Sequence, residues 1–481
     1  YTVEIPTNYF TYVQLINGAP DFHIQETDIE QSPLGSARVF RWAMTDVPAL
    51  REEPFMTTLK DYRARVALQL KSYRSARGVE KQFMSTWDKV ADELLDHDDF
   101  GDQLNADGDV RTRAELLVRG ASDSHAKMTA IYDYVRTKVA WNGNTGVFPD
   151  RDVDDVLEAQ SGSSQEMALL LVAMLRNVGV DAHPVLLSTR EHGKMQPVYP
   201  YLAQFNSVVV HVKTDKGVFL LDPTDPHRGH RLLPKRALNG AAWMVTEGGN
   251  DWLQIGPRPY QRSATVVGQL HADGRVEADV KITDADYSAL QRRRQLQEQG
   301  EDEFVRSVIL DGLSDVDIQS QTIENVSNVD ETLTSSVAFQ TAAYAQGAGQ
   351  FLYINPTMLD RQGENPLRAP TRSFAVDFAY PRDLKLTVSL QLPEGYAVQD
   401  MPSNKQVKLP DEGAYFQRLV GVTGGRLTMR TRFLVRKTRF EPAQYESLRS
   451  FYEEVVAAQA EQVVLRREGT TNDAEAGGNG Q

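Results

Sequence analysis

The sequence predicts a multidomain α+β protein of 481 residues, with β-rich regions on either side of a mixed helix-and-strand middle. Three observations carry that prediction. Apolar residues alternate with polar ones over residues 1–75. The period becomes helical between about 79 and 178, and from about 258 the alternation returns. Strands that follow helices across Pro- and Gly-bearing loops make the middle an α+β domain.

In the first region, "NYFTYVQLI", "ARVFRWAM" and "ARVALQLKSY" read as strands. The chain opens on "YTVEIP" without a methionine, so residues 1–75 are expected to be the C-terminal part of a β-rich domain whose front lies upstream. In the middle region, 76–257, helical spacing relates Phe83, Trp87, Val90, Ala91, Leu94 and Leu95, and further on Met128, Ile131, Tyr132, Val135 and Val139. The loop "NGNTGVFPDRD" interrupts this helical layer. Three strands are expected at Ala182–Ser188, Phe205–Lys213 and Val218–Leu221. Residues 258–467 form a β-rich C-terminal region, in one or two subdomains, with helical stretches near 287–312 and 442–461. The closing segment, 468–481, has no apolar residue larger than Ala and is expected to be disordered.

Composition removes several functions. With 52 basic against 66 acidic residues, a net charge of −14 and no long Lys/Arg block, the chain lacks the basic footprint of a nucleic-acid binder. It has no cysteine, hence no disulfide, thiolate metal ligand or thiol nucleophile. The longest apolar run, Ala168–Leu175, is far below the roughly 18 residues of a membrane span.

The strongest local signal is "QSGSSQEMALLLVAMLRNVGV" (160–180). Met167, Leu170, Leu171, Met174, Leu175 and Val178 make one apolar helix face. Ser163 with Glu166 fits a capping box, which makes Ser164 the first helical residue. The positive field at that position would activate a thiol. A serine there gains no comparable activation and needs an adjacent base.

From about 120 to 255 these residues resemble a bacterial transglutaminase-like core, a papain-like fold. In that family G-D-C-K-D-K-A opens the helix, F-N-H begins a strand, and L-D-P-T follows the next. Here the corresponding residues are Gly162-Ser-Ser-Gln-Glu-Met-Ala168, Phe205-Asn-Ser207 and Leu221-Asp-Pro-Thr224. The resemblance implies a Cys-His-Asp triad, and places its members on Ser164, Ser207 and Asp222. With serine in the base position, Asp222 has no imidazole to orient. His211 shares a strand face with Ser207 but lies roughly 13 Å along it. His183, His192, His227 and His230 have no sequence-level link to Ser164.

Further resemblances support the same organisation. "FRWAMTDVPALREEPFM" is similar to the end of a β-domain that precedes such cores in bacterial envelope proteins. "NPLRAPTRSFAVDFAYP", "LQLPEGYAVQDMP" and "YESLRSFYEEVVAAQAEQVVLRR" are similar to the one that follows them. The expectation is therefore a non-catalytic core that binds or scaffolds a protein or peptide partner in the periplasm or envelope, without cofactor or metal. Two alternatives stand: a serine-dependent amide or ester hydrolase using Ser164, and a peptide- or glycan-binding protein using the former cleft, lined by Trp141, Asn206 and Asp222.

Other clusters read plainly. Asp222, Asp225, His227 and His230 are ligand types, but in a Pro- and Gly-broken loop they predict a solvated turn. Trp42 and Trp87 are expected to be buried anchors. The arginine-rich "QRRRQLQEQGEDEF" predicts a solvated helix face, and "YAQGAGQFLYINP" is no nucleotide loop.

Overall fold

The computed structural model describes all residues except 7–9, 18–23, 33–34, 48, 76, 83–85, 250, 343 and 469–481. The expected tail, beyond Glu468, thus lies outside the described residues, as does Phe83. The chain forms two compact units: residues 1–257 with 374–379, and residues 258–373 with 380–481.

The first unit opens with β1 (Thr2–Pro6), β2 (Phe10–Asn17), β3 (Ile24–Ser32), β4 (Gly35–Ala43), β5 (Arg65–Arg74) and β6 (Glu80–Gln82). These make two three-stranded antiparallel sheets, ordered β1-β4-β3 and β2-β5-β6. Trp42 is buried and stacks on Phe40 and Tyr1, as expected of an anchor. Residues 80–82 extend a sheet instead of starting a helix, because their backbone pairs with Ser72–Arg74.

Helices follow: α1 (Trp87–Leu95), α2 (Asp109–Leu117), α3 (Ser124–Lys138), α4 (Val153–Ala159) and α5 (Ser164–Asn177). Thr86 caps α1 and Asp123 caps α3, each side chain accepting a hydrogen bond from the first turn. Trp87 packs among Phe205, Trp243 and Trp252. The two-residue strands β7 (Ala140–Trp141) and β8 (Ser161–Gly162) pair in parallel just before α5. A five-stranded antiparallel sheet then forms from β9 (Asp181–Leu187), β10 (Ser207–Thr214), β11 (Gly217–Leu221), β12 (Ala241–Met244) and β13 (Asp251–Gln254), in the order β11-β10-β9-β12-β13.

α5 departs from the one-sided helix that its spacing predicts. Every residue from Ser164 to Leu175 is buried, because helices cover it on one side and β9 and β10 on the other. A helix enclosed all round is buried beyond its apolar stripe. The segment Phe374–Ala379 returns to this unit and carries β20 (Val376–Asp377); Arg190 pairs with Asp377 at 2.8 Å.

The second unit is built on an eight-stranded sheet. Its strands are β14 (Tyr260–Leu270), β15 (Val276–Asp286), β16 (Val316–Glu324), β17 (Leu333–Thr341), β21 (Arg382–Gln391), β23 (Lys405–Lys408), β24 (Ala414–Thr423) and β25 (Arg426–Val435), ordered β16-β17-β15-β14-β21-β25-β24-β23. Only the central β14–β21 pair is parallel. A four-stranded sheet adds β18 (Gln346–Ala348), β19 (Phe351–Ile354), β22 (Tyr396–Asp400) and β26 (Val463–Arg467). Strict alternation buries Arg262, Ala264 and Val266 on β14 and Ala278, Val280, Ile282 and Asp284 on β15.

The expected helical stretches are α6 (Tyr287–Gln299) and α7 (Glu301–Phe304) with a π-helical turn at Val305–Ile309, and α8 (Tyr445–Ala460). The arginine-rich face of α6 is not fully solvated. Arg293 is buried and donates to the backbone carbonyls of Asn325, Asn328, Val329 and Glu331, which fixes that loop. Among the described residues no helix is long and apolar enough to cross a membrane.

Candidate functional site

The start of α5 is fixed by its own sequence. Ser163 N–H donates to Glu166 Oε2 at 2.7 Å, and the Ser163 hydroxyl accepts from Glu166 N–H at 3.5 Å, completing the capping box. Glu166 also accepts from Arg151 at 3.1 Å. Burial alone would raise its pKa, but Ser163 and Arg151 together hold the carboxyl below its ordinary value. Glu166 is thus committed to holding the turn that presents Ser164.

Ser164 is the first residue of that helix and is 1% exposed. Its hydroxyl donates to Gln165 Oε1 at 3.5 Å, and among the described residues no imidazole bonds to it. Its backbone N–H, the group an oxyanion hole would use, donates to the Asn144 carbonyl at 3.0 Å. The same carbonyl accepts from Trp141 Nε1 at 2.8 Å, so the β7–β8 clamp and the Gly/Asn loop bind Trp141 to the helix start.

Ser207 opens β10 and is equally buried. Val208, Val210 and Val212 belong to the core that α5 fills, so Ser207 falls in the alternate set with Val209 and His211. Its hydroxyl has no hydrogen-bond partner among the described residues. Asn206 is bound to Thr189, accepting from its N–H at 2.8 Å and donating to its hydroxyl at 3.0 Å. His211 sits opposite His183 in the β9–β10 register, toward the far end of the strand from Ser207. A serine–histidine contact does occur, between Ser188 and His192 at 3.0 Å, and there the Ser188 hydroxyl donates to the Gly193 carbonyl.

Asp222 follows β11 directly, and both of its oxygens are engaged by arginines. Arg228 Nη1 lies 2.7 Å from Oδ1, and Arg236 Nη2 lies 2.9 Å from Oδ2. Thr224 donates to Oδ1 through its N–H and its hydroxyl. Arg228 also faces Asp225 at 3.6 Å, and the Tyr132 hydroxyl donates to the Asp222 and Arg228 carbonyls from α3. The solvated turn expected here is therefore buried: Asp222, Asp225, Arg228 and His230 are all inside, because the arginines neutralise the acids. Among the described residues no three His, Asp or Glu side chains converge as a metal site.

Arg236 connects two of the three cleft candidates. Its guanidinium stacks over Trp141, 4.7 Å from the ring centroid, while bonding Asp222 and the Thr224 hydroxyl. Asn206 takes no part in this cluster. Sequence reading missed both arginines; the only signal is their presence in "DPHRGHRLLPKRAL", directly after the LDPT turn.

Burial by itself would raise the Asp222 pKa, but Arg228, Arg236 and Thr224 bring it to about 2. Folding thus lowers this pKa from 3.8, so the contribution is complete above that value and is lost as pH falls through about 2. We expect roughly 2–3 kcal/mol of stability to disappear across that acid window. The Asp222→Asn variant should lack this part of the pH dependence in urea titrations.

Residues 111–223 match the family model of the transglutaminase-like superfamily. That transglutaminase-like match contains Ser164, Ser207 and Asp222, and so takes in α5 and the β9–β11 part of the sheet. Residues 350–465 match a Domain of Unknown Function, DUF3858. No curated protein matches the chain. Among solved structures, one from Parabacteroides distasonis ATCC 8503, described as "a putative protease", matches with a TM-score of 0.55 and 15% identity, covering 97% of this chain and 71% of that one. At that identity the likeness is one of fold.

Proposed function

We propose that the transglutaminase-like domain is non-catalytic and serves as a binding or scaffolding module in the bacterial envelope. The observation that carries this reading is the state of Asp222, whose two oxygens are occupied by Arg228 and Arg236 where a triad acid would hold an imidazole. Ser164 supports it from the other side: it is buried, no imidazole among the described residues bonds to its hydroxyl, and its N–H is already bonded to Asn144. Arg236, stacked on Trp141, ties Asp222 to the tryptophan that is bonded beside the helix start.

The domain then keeps the family's scaffold and offers its surface to a protein or peptide partner. The name of the structural neighbour suggests peptide hydrolysis as the competing activity, and that activity would need Ser164. The expected result is that wild type and Ser164→Ala hydrolyse p-nitrophenyl esters and peptide anilides no faster than buffer. Turnover by wild type that Ser164→Ala abolishes would overturn the proposal.

A further inference from the structure

The C-terminal unit contains a cavity of about 600 Å³, inside the roughly 300–1,000 Å³ range of small-molecule sites. Its walls come from α6, the π-helical turn and the residues just after it, the β18–β19 hairpin, the segment 355–363 and the C-terminal end of α8. Part of the glycine-bearing stretch "YAQGAGQFLYINP" therefore forms a wall of this cavity. Insertions of π-helix are frequent at functional sites.

The charges on the wall cancel. Arg292 and Arg361 stand against Asp311 and Asp360, two of each sign. Arg262, which pairs with Asp360 at 2.9 Å, is itself matched by Asp284. A wall without net charge offers an ion no overall attraction.

The remaining wall is predominantly amide, hydroxyl and phenol. Gln346 and Tyr353 are directly opposed across β18 and β19, so their side chains share one face. Leu352 and Ile354 turn into the core, which leaves Tyr353 on the other side. Tyr344 is held in place through its hydroxyl, which donates to the Asn355 carbonyl; the Asn355 side chain in turn donates to the Gln459 carbonyl at 3.0 Å and accepts from Thr357 N–H at 2.8 Å. The result is aromatic faces beside a planar amide that both donates and accepts. That combination matches a sugar ring, whose C–H face packs on an aromatic while its hydroxyls bond to amides.

We propose that this cavity binds a short neutral oligosaccharide, with Tyr353 as the stacking platform and Gln346 as the hydroxyl-reading amide. The site makes no use of Ser164 or Asp222 and stands apart from the reading given above for the transglutaminase-like domain.

The test is titration of the full chain with maltotriose, cellotriose and N,N′,N″-triacetylchitotriose, with trialanine as the peptide control, by saturation-transfer NMR and calorimetry. At least one trisaccharide is expected to bind, with transfer to its ring protons, and its affinity should fall at least about tenfold in both Tyr353→Ala and Gln346→Ala. Gln346 is exposed, so its variant should keep the wild-type unfolding midpoint and separates lost binding from lost folding. Binding by none of the sugars, sugar binding unchanged in Gln346→Ala, or binding of trialanine alone would overturn the proposal.

Discussion

Replacing Asp222 with alanine is expected to destabilise the N-terminal unit by about 3–5 kcal/mol, the range for breaking a buried ion pair from one side. Arg228 is 1% exposed, and its remaining acidic neighbour, Asp225, lies 3.6 Å away. Without Asp222 the guanidinium stays buried with most of its compensation gone. Arg236 would lose its anchor as well, and with it the geometry that stacks it on Trp141. Tryptophan fluorescence in urea is the natural readout, because Trp42, Trp87, Trp141, Trp243 and Trp252 all lie in this unit. A loss below about 1 kcal/mol, the scale of an exposed pair, would contradict the buried cluster.

A loss of similar size, about 3–5 kcal/mol, is expected for Arg262→Ala in the C-terminal unit. Arg262 and Asp284 are directly opposed on β14 and β15, and both point inward. The Arg262 guanidinium bonds both oxygens of Asp284, at 3.1 and 3.0 Å, and Asp360 at 2.9 Å. Truncation leaves Asp284 fully buried with the Ser288 hydroxyl as its remaining side-chain donor. Arg262→Lys should recover only part of the loss, since a point charge cannot bond both acids in the fork geometry. Far-UV circular dichroism is suited to this unit, which holds no tryptophan.

Local patterns made much of this architecture legible. The capping box at Ser163 and Glu166 was readable because both partners lie within one turn, and the structure has both bonds. The strands β9 to β11 were readable from their Val and Leu content, to within about two residues at their ends. What escaped was set by distant partners. Trp141 and Arg236 are far apart in sequence and meet only in the folded unit. Burial of the LDPT loop depends on arginines whose contacts local composition does not show, so a polar, Pro-broken stretch looked solvated. Arg293 follows the same logic, for its carbonyl partners lie beyond the next helix and strand. The all-round burial of α5 was hidden because periodicity reports the stronger face and not whether the weaker one is covered.

Whether Ser164 acts as a nucleophile is read by a fluorophosphonate probe and intact-protein mass spectrometry. No adduct is expected on the wild-type protein and none on Ser164→Ala. A stoichiometric adduct on wild type that maps to Ser164 and is absent from the variant would contradict that expectation.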